Sequence, residues 1–272
     1  MERLEAALEK ARTDRRVTQS TIRPISDNVS FATHESDRWN ALKQITISPR
    51  LARKKRITAL KQGKDSGPYD LLRSRALRLM GENNWSTLAV TSPNKTCGKT
   101  TLCTNLALSF GRQPELRVLV LDLDLRRPAL HKILGHRSEN SLHEVLAGKY
   151  PIDTAFVRAT PNLAFALNNT PADNPSELLQ SKMTRTKLNE IKEAFEPDLM
   201  IFDMPPMLAS DENVGFLPSV DCGILVGAAD NTTITQLDIC EKELSELTNV
   251  LGVVLNKCRF NEKDSGYDYD YQ

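Results

Sequence analysis

The run STLAVTSPNKTCGKTTLCTNLALSF, Ser86 to Phe110, constrains this chain more than any other stretch. A short apolar strand, Ser86 to Ser92, passes directly into a loop that closes on Gly98-Lys99-Thr100. Apolar side chains then recur at helical intervals. Strand, loop and helix in that order form a phosphate cradle, because the first N–H groups of a helix lack partners and lie at the positive end of its dipole. Gly-Lys-Thr alone is a weak signal, since three residues recur by chance. Held between a buried strand and an amphipathic helix it is much stronger. The loop is also irregular: one of this type begins with Gly where Pro93 stands.

The segments downstream repeat the same alternation. RVLVLDLDLRRP, Arg117 to Pro128, gives a second apolar strand ending in Asp122 and Asp124, and DLMIFDMPP, Asp198 to Pro206, gives a third ending in Asp203. CGILVGA and NVLGVVLNK are two more strands, separated by the helical TITQLDICEKELSEL. DNPSELLQ opens a helix, with Asn174 expected as its cap, Pro175 at the first helical position and Glu177 at the capping-box position. Near-continuous apolar strands alternating with helices predict an α/β fold: a mostly parallel sheet flanked by helices on both faces.

Charge divides the chain. Residues 1–66 hold 15 Lys or Arg against 8 Asp or Glu, whereas the remainder holds 21 against 27. A basic N-terminal arm over 1–66, with a short amphipathic helix at ERLEAALEKARTDRR and a polar linker behind it, is therefore expected ahead of a domain over 67–260 and a tail over 261–272. PRLARKKR, Pro49 to Arg56, is the densest basic stretch; it suits anionic lipid or nucleic acid, or a solvated linker. No apolar run reaches the ~18 residues of a membrane span. The N-terminus lacks the apolar core of a signal peptide, so a cytoplasmic location is expected. Five cysteines without a CxxC pair argue against a disulfide framework or a zinc ribbon. Cys97, inside the loop, is either a small residue filling a tight turn or a thiol activated at a helix N-terminus.

In open α/β sheets ligands bind beyond the carboxyl ends of the strands. Lys99 there can reach β- and γ-phosphate oxygens, and the Thr100 hydroxyl can ligate Mg²⁺. Phosphoryl transfer needs a metal and carboxylates to hold it or its water ligands, and Asp122, Asp124 and Asp203 supply them. A turn or helix cap accounts for any one of these Asp alone, but not for three beside a Gly-Lys-Thr. Asn256, closing the last strand, is placed either to read an adenine edge or as a turn residue.

GKTTLCTNLA, VLVLDLDLRRP, NPSELL, FDMPP and VVLNK, taken in order over residues 69–260, resemble the bacterial tyrosine kinases of capsule and exopolysaccharide synthesis. Their fold is the deviant P-loop ATPase sheet of MinD and ParA. The resemblance implies ATP and Mg²⁺ as cofactors and a nucleotide loop of Asn94, Lys95, Thr96, Cys97, Gly98, Lys99, Thr100 and Thr101, with Asn256 nearby. It implies Lys99, Asp122 and Asp124 as catalytic, and Thr100, Asp122 and Asp203 as the Mg²⁺ shell. Such kinases phosphorylate clustered tyrosines at the end of a neighbouring copy. This chain ends SGYDYDYQ, which makes Tyr267, Tyr269 and Tyr271 the implied acceptors. The implied partners are other copies of the chain, a membrane-bound polysaccharide chain-length determinant (co-polymerase) as activator, and other polysaccharide-pathway proteins. That activator would hold the chain at the inner face of the membrane, and no nucleic acid is expected.

The sequence departs from that pattern in three places. The family has Pro-Gly at Lys95 and Thr96, and a left-handed turn at a Thr costs on the order of 1 kcal/mol or more. MinD and ParA relatives carry a signature lysine where this chain has Asn94. The family's assembly motif Glu-x-x-Arg-x-x-Arg has its nearest fit at Asp70-x-x-Arg73, but the next step lands on Ala76. A MinD/ParA-like ATPase switch, and a regulator that binds nucleotide weakly without kinase activity, are the competing expectations.

Overall fold

The computed structural model describes residues 37–229 and 231–258. The segment expected as an N-terminal amphipathic helix, and Tyr267, Tyr269 and Tyr271, lie outside the described residues. Two short helices come first, α1 (Asp37–Ala41) and α2 (Pro49–Lys55), followed by the long α3 (Gly67–Asn83). The sheet is built from β1 (Thr87–Thr91), β2 (Val118–Asp122), β3 (Phe156–Thr160), β4 (Leu163–Ala166), β5 (Leu199–Asp203), β6 (Cys222–Ala228) and β7 (Asn249–Asn256). Between them lie α4 (Lys99–Phe110), α5 (Leu130–Leu134), α6 (Leu142–Leu146), α7 (Pro175–Gln180), α8 (Lys182–Phe195), α9 (Glu212–Phe216) and α10 (Ile234–Leu247).

The seven strands run in the order β3-β4-β2-β5-β1-β6-β7. All pairs are parallel except β3 with β4. Side chains alternate across a strand, so each central strand feeds two cores. Val118 and Val120 of β2 pack with Leu106 and Phe110 of α4 on one face. Leu119 and Leu121 pack with Ile191 and Phe195 of α8 on the other. Five strands lie where the apolar runs predict them. The antiparallel pair β3–β4 is additional, and it covers the open side of β2.

The packed body also begins earlier than the charge division suggests. Trp39, Leu42, Ile45, Ile57 and Ala59 are all buried. The indole of Trp39 donates to Pro161 O at 2.6 Å and meets Phe195 edge-on with centroids 6.2 Å apart. The N–H groups of Thr58 and Ala59 both donate to Asn105 Oδ1, at 2.7 and 3.0 Å. The boundary expected at residue 66 therefore falls inside packed structure. These anchors follow no period and join the cores on both faces of the sheet, so composition hides them. PRLARKKR is mostly the helix α2, capped by the Ser48 hydroxyl.

Two further expectations change in detail. Helix α7 starts at Pro175, but Asn174, at φ −125° and ψ 71°, makes no side-chain cap; its carbonyl accepts from Leu178 N instead. Asp70 and Arg73 turn inward. Asp70 accepts from Ser109 at 2.5 Å and pairs with Arg112, while Arg73 donates to Ser109 O at 2.9 Å. The nearest fit to an assembly motif is thus spent joining α3 to α4.

Candidate functional site

Register brings the acidic strand ends together. Asp122 and Asp203 are direct partners in the β2–β5 ladder, and Val90 of β1 pairs with Asp203 on its other side. The loop after β1 delivers Lys99 over them. Its Nζ lies 2.7 Å from Asp124 Oδ2 and 3.7 Å from Asp203 Oδ1. Lys99 and Thr100 are each only 8% exposed, on the first turn of α4. Four of the expected residues thus converge with Thr100 at one point.

The charges there are strongly coupled. Burial disfavours the Lys99 ammonium, but Asp203, Asp124 and Asp122 outweigh it and hold the group protonated, above its ordinary range. Burial pushes the Asp203 carboxyl up to about 6, against the opposing pull of Lys99 and the Thr100 hydroxyl. Burial, and then the charge of Asp203, raise Asp122 well above the usual carboxylate range. Asp122 Oδ2 accepts the N–H groups of Ala129 and Leu130, at 3.1 and 3.2 Å. Its Oδ1 has no hydrogen-bond partner, and neither Asp203 oxygen makes a hydrogen bond of regular geometry. Buried oxygens left without donors are what a hard cation or its bound water satisfies. Among the described residues no group of three or more His, Cys, Asp or Glu side chains is arranged to hold a metal alone. The partnerless oxygens of Asp122 and Asp203 would suit Mg²⁺, which takes one or two carboxylates and completes its shell with phosphate and water.

The loop passes through two left-handed residues, Thr96 and Gly98, into the first turn of α4. Thr96 is left-handed, at φ 64°, so it carries the strain its Cβ implies. Neighbouring elements hold it in place. Met207 N donates to Ser92 O at 2.8 Å and Leu208 N to Pro93 O at 3.2 Å. The Cys97 sulfur, 1% exposed, lies 3.5 Å from the Thr232 hydroxyl. Cys97 therefore fills the turn. Lys95 and Thr96 are exposed, Asn94 is half-buried and Thr101 continues the first turn of α4. Asn256 sits against the loop: its Nδ2 donates to Cys97 O at 2.9 Å, and its Oδ1 accepts from Lys257 N at 2.8 Å. The role visible for Asn256 is to brace the loop.

One contributor carried no sequence signal. Glu212, fully buried, accepts from Arg126 Nε at 2.5 Å, and Asp211 accepts from Arg126 and from Ser176. DLDLRRP and NPSELL therefore meet through Arg126, Ser176 and Asp211. The residues concerned lie up to 86 positions apart, so only the fold reveals the link. Arg127 is exposed beside this cluster, and its N–H donates to Asp124 Oδ1 at 3.2 Å.

The chain is 30% identical over 172 residues to the tyrosine-protein kinase ptk of Acinetobacter johnsonii, covering 62% of this chain and 23% of ptk. It is 28% identical over 207 residues to the tyrosine-protein kinase YwqD of Bacillus subtilis, covering 75% of this chain and 86% of YwqD. The chain spans about a quarter of the length of curated relatives such as ptk. Among solved structures, the kinase domain of Escherichia coli tyrosine kinase ETK superposes with a TM-score of 0.68 at 26% identity, over 85% of this chain and 93% of that one. Residues 88–269 match the CobQ/CobB/MinD/ParA nucleotide binding domain, two thirds of the sequence, and the chain belongs to that family.

Proposed function

We propose that this chain is a protein tyrosine kinase that uses ATP and Mg²⁺ to phosphorylate Tyr267, Tyr269 and Tyr271 of a neighbouring copy. The observation that carries this proposal is the pairing of Lys99 with Asp124 at 2.7 Å, above the under-satisfied oxygens of Asp122 and Asp203, at the start of α4. The names of the tyrosine kinases it matches support it.

The loop from Asn94 to Thr101 would hold the phosphates through backbone N–H groups, with Lys99 on the β- and γ-phosphate oxygens. Thr100, Asp122 and Asp203 would hold Mg²⁺, which when bound offsets the charge that develops on the transferring group. In the transfer, the bond from the γ-phosphorus to its bridging oxygen breaks to leave ADP, and the phenol oxygen bonds to that phosphorus. The phenolic proton passes to Asp124. A phenol with a pKa of ~10 is a poor nucleophile at neutral pH, so a nearby carboxylate to take its proton is chemically sensible. Lys99 occupies Asp124 in the structure, and the phosphates supply the negative charge that draws it off. Asn256 contributes by fixing the loop.

The family resemblance carries the remainder of the proposal. The chain would assemble with its own copies and act with a membrane-bound chain-length determinant of polysaccharide export, at the inner face of the membrane. No helix among the described residues is long and apolar enough to cross a membrane. A second reading, a regulator that binds nucleotide weakly, has one observation in its favour, the left-handed Thr96.

The test is transfer of labelled phosphate from ATP to a synthetic SGYDYDYQ peptide, with ATP affinity measured by titration. A kinase labels tyrosine in the peptide, and Lys99→Met lowers the rate about a hundredfold or more. ATP bound without any transfer, with the membrane-bound activator also supplied, would refute the kinase and leave a switch; ATP not bound would leave the regulator.

A further inference from the structure

A groove of about 1340 Å³ opens between β7 and the segment running from α2 into the start of α3. Leu60, Leu71, Val253 and Leu255 line it, and they are 36%, 45%, 49% and 54% exposed. Single exposed apolar residues are ordinary, but several on one groove mark a surface made to be covered. Six cations, Arg53, Arg56, Lys61, Lys64, Arg75 and Lys257, face a single carboxylate there, Asp65. One wall is β7, the last strand of the sheet, whose outer backbone edge meets no other strand among the described residues.

The chain leaves from this groove. Lys257 and Cys258 line it, and residues 259–272, RFNEKDSGYDYDYQ, follow directly. That segment offers Phe260 and three tyrosines to the apolar walls. From Asp264 onward it holds three carboxylates and no cation. Fourteen extended residues reach about 46 Å, ample to fold back along a groove that begins where they begin.

We infer that the groove is the docking site of the chain's own C-terminal segment, residues 259–272. The tyrosine rings lie against Leu71 and Leu255, and the aspartates face the cationic rim, where guanidinium groups also stack on phenol rings. Phosphate on any of the three tyrosines adds nearly two negative charges and tightens the hold. A docked segment keeps its tyrosines from a neighbour's active site, so the groove sets how many are available for transfer. Docking itself needs neither nucleotide nor catalysis, and it stands or falls separately from the kinase proposal.

Hydrogen–deuterium exchange of the full chain without nucleotide tests this directly. Peptides from 259–272 are expected to exchange about tenfold more slowly than the same residues in a free synthetic peptide. Leu71→Asp with Leu255→Asp, and separately Arg56→Glu with Lys257→Glu, are expected to return them to the free rate. All four side chains are at least half-exposed or at the surface of the groove, and an unchanged melting temperature confirms that the fold is intact. Exchange at the free-peptide rate in the unaltered chain would overturn the inference. So would protection that survives both double variants, which would place the segment elsewhere. Protection lost on tenfold dilution would assign the groove to the tail of a second copy and overturn docking within one chain.

Discussion

Gly98 is the loop residue with least freedom to change. It sits at φ +91°, and a Cβ there would lie 2.3 Å from Asn256 Nδ2. Gly98→Ala is therefore expected to displace the Asn256 brace and lower ATP affinity at least tenfold, read by titration. Asn256→Ala removes two side-chain hydrogen bonds; the one that reaches the loop, from Nδ2 to Cys97 O, contributes about 1 kcal/mol, and so about fivefold in affinity. Thr96 is the instructive contrast. Its left-handed turn costs on the order of 1 kcal/mol. Replacement by Gly relieves that strain, but it frees the unfolded chain by a comparable ~0.4–1 kcal/mol. The two effects nearly cancel. Thr96→Gly should leave stability within about 0.5 kcal/mol and ATP affinity within about threefold; a gain well above tenfold would show that the missing glycine does impair the loop.

Among the elements, β1 and β6 are joined at their entry ends by one carboxylate. A single oxygen of Asp221 accepts from Ser86 N, Thr87 N and the Thr87 hydroxyl, at 2.8, 2.9 and 2.8 Å. Burial alone would raise this carboxyl, but the donors outweigh it, and its pKa is held below the usual value. A group whose folded pKa is depressed adds stability above its unfolded pKa of ~3.9 and loses it as pH falls through the folded value. Asp221→Asn should therefore cost roughly 1–2 kcal/mol at neutral pH in denaturant unfolding. The gap to the unaltered protein should close as pH falls below ~3.9, and a constant gap would mean the charge is irrelevant. The central strands were legible because strands buried on both faces read as unbroken apolar runs. The pair β3–β4 was not, since FVRATPNLAFA is short, carries Arg158 and Asn162, and turns at Pro161. The acidic strand ends were legible as candidates, whereas the Glu212–Arg126 contact depends on tertiary packing alone.

For the whole molecule, the segment from Trp39 to Ala59 belongs to the folded body. Trp39 is 2% exposed, and the Arg117 guanidinium lies 5.0 Å from its ring centroid. Trp39→Ala should cost about 3–5 kcal/mol, a large part of a domain's typical 5–15 kcal/mol. A truncation starting at residue 67 would remove these anchors and should unfold the protein, whereas one starting at 34 should keep its cooperative thermal transition.

Phosphosite mapping by mass spectrometry after incubation with ATP and Mg²⁺, with Lys99→Met in parallel, bears most directly on what the molecule does. A tyrosine kinase of the kind proposed places phosphate on Tyr267, Tyr269 or Tyr271 of the unaltered chain and leaves the Lys99→Met chain bare. An unphosphorylated C-terminal segment in a chain shown by titration to hold ATP, with its membrane activator also supplied, would contradict it.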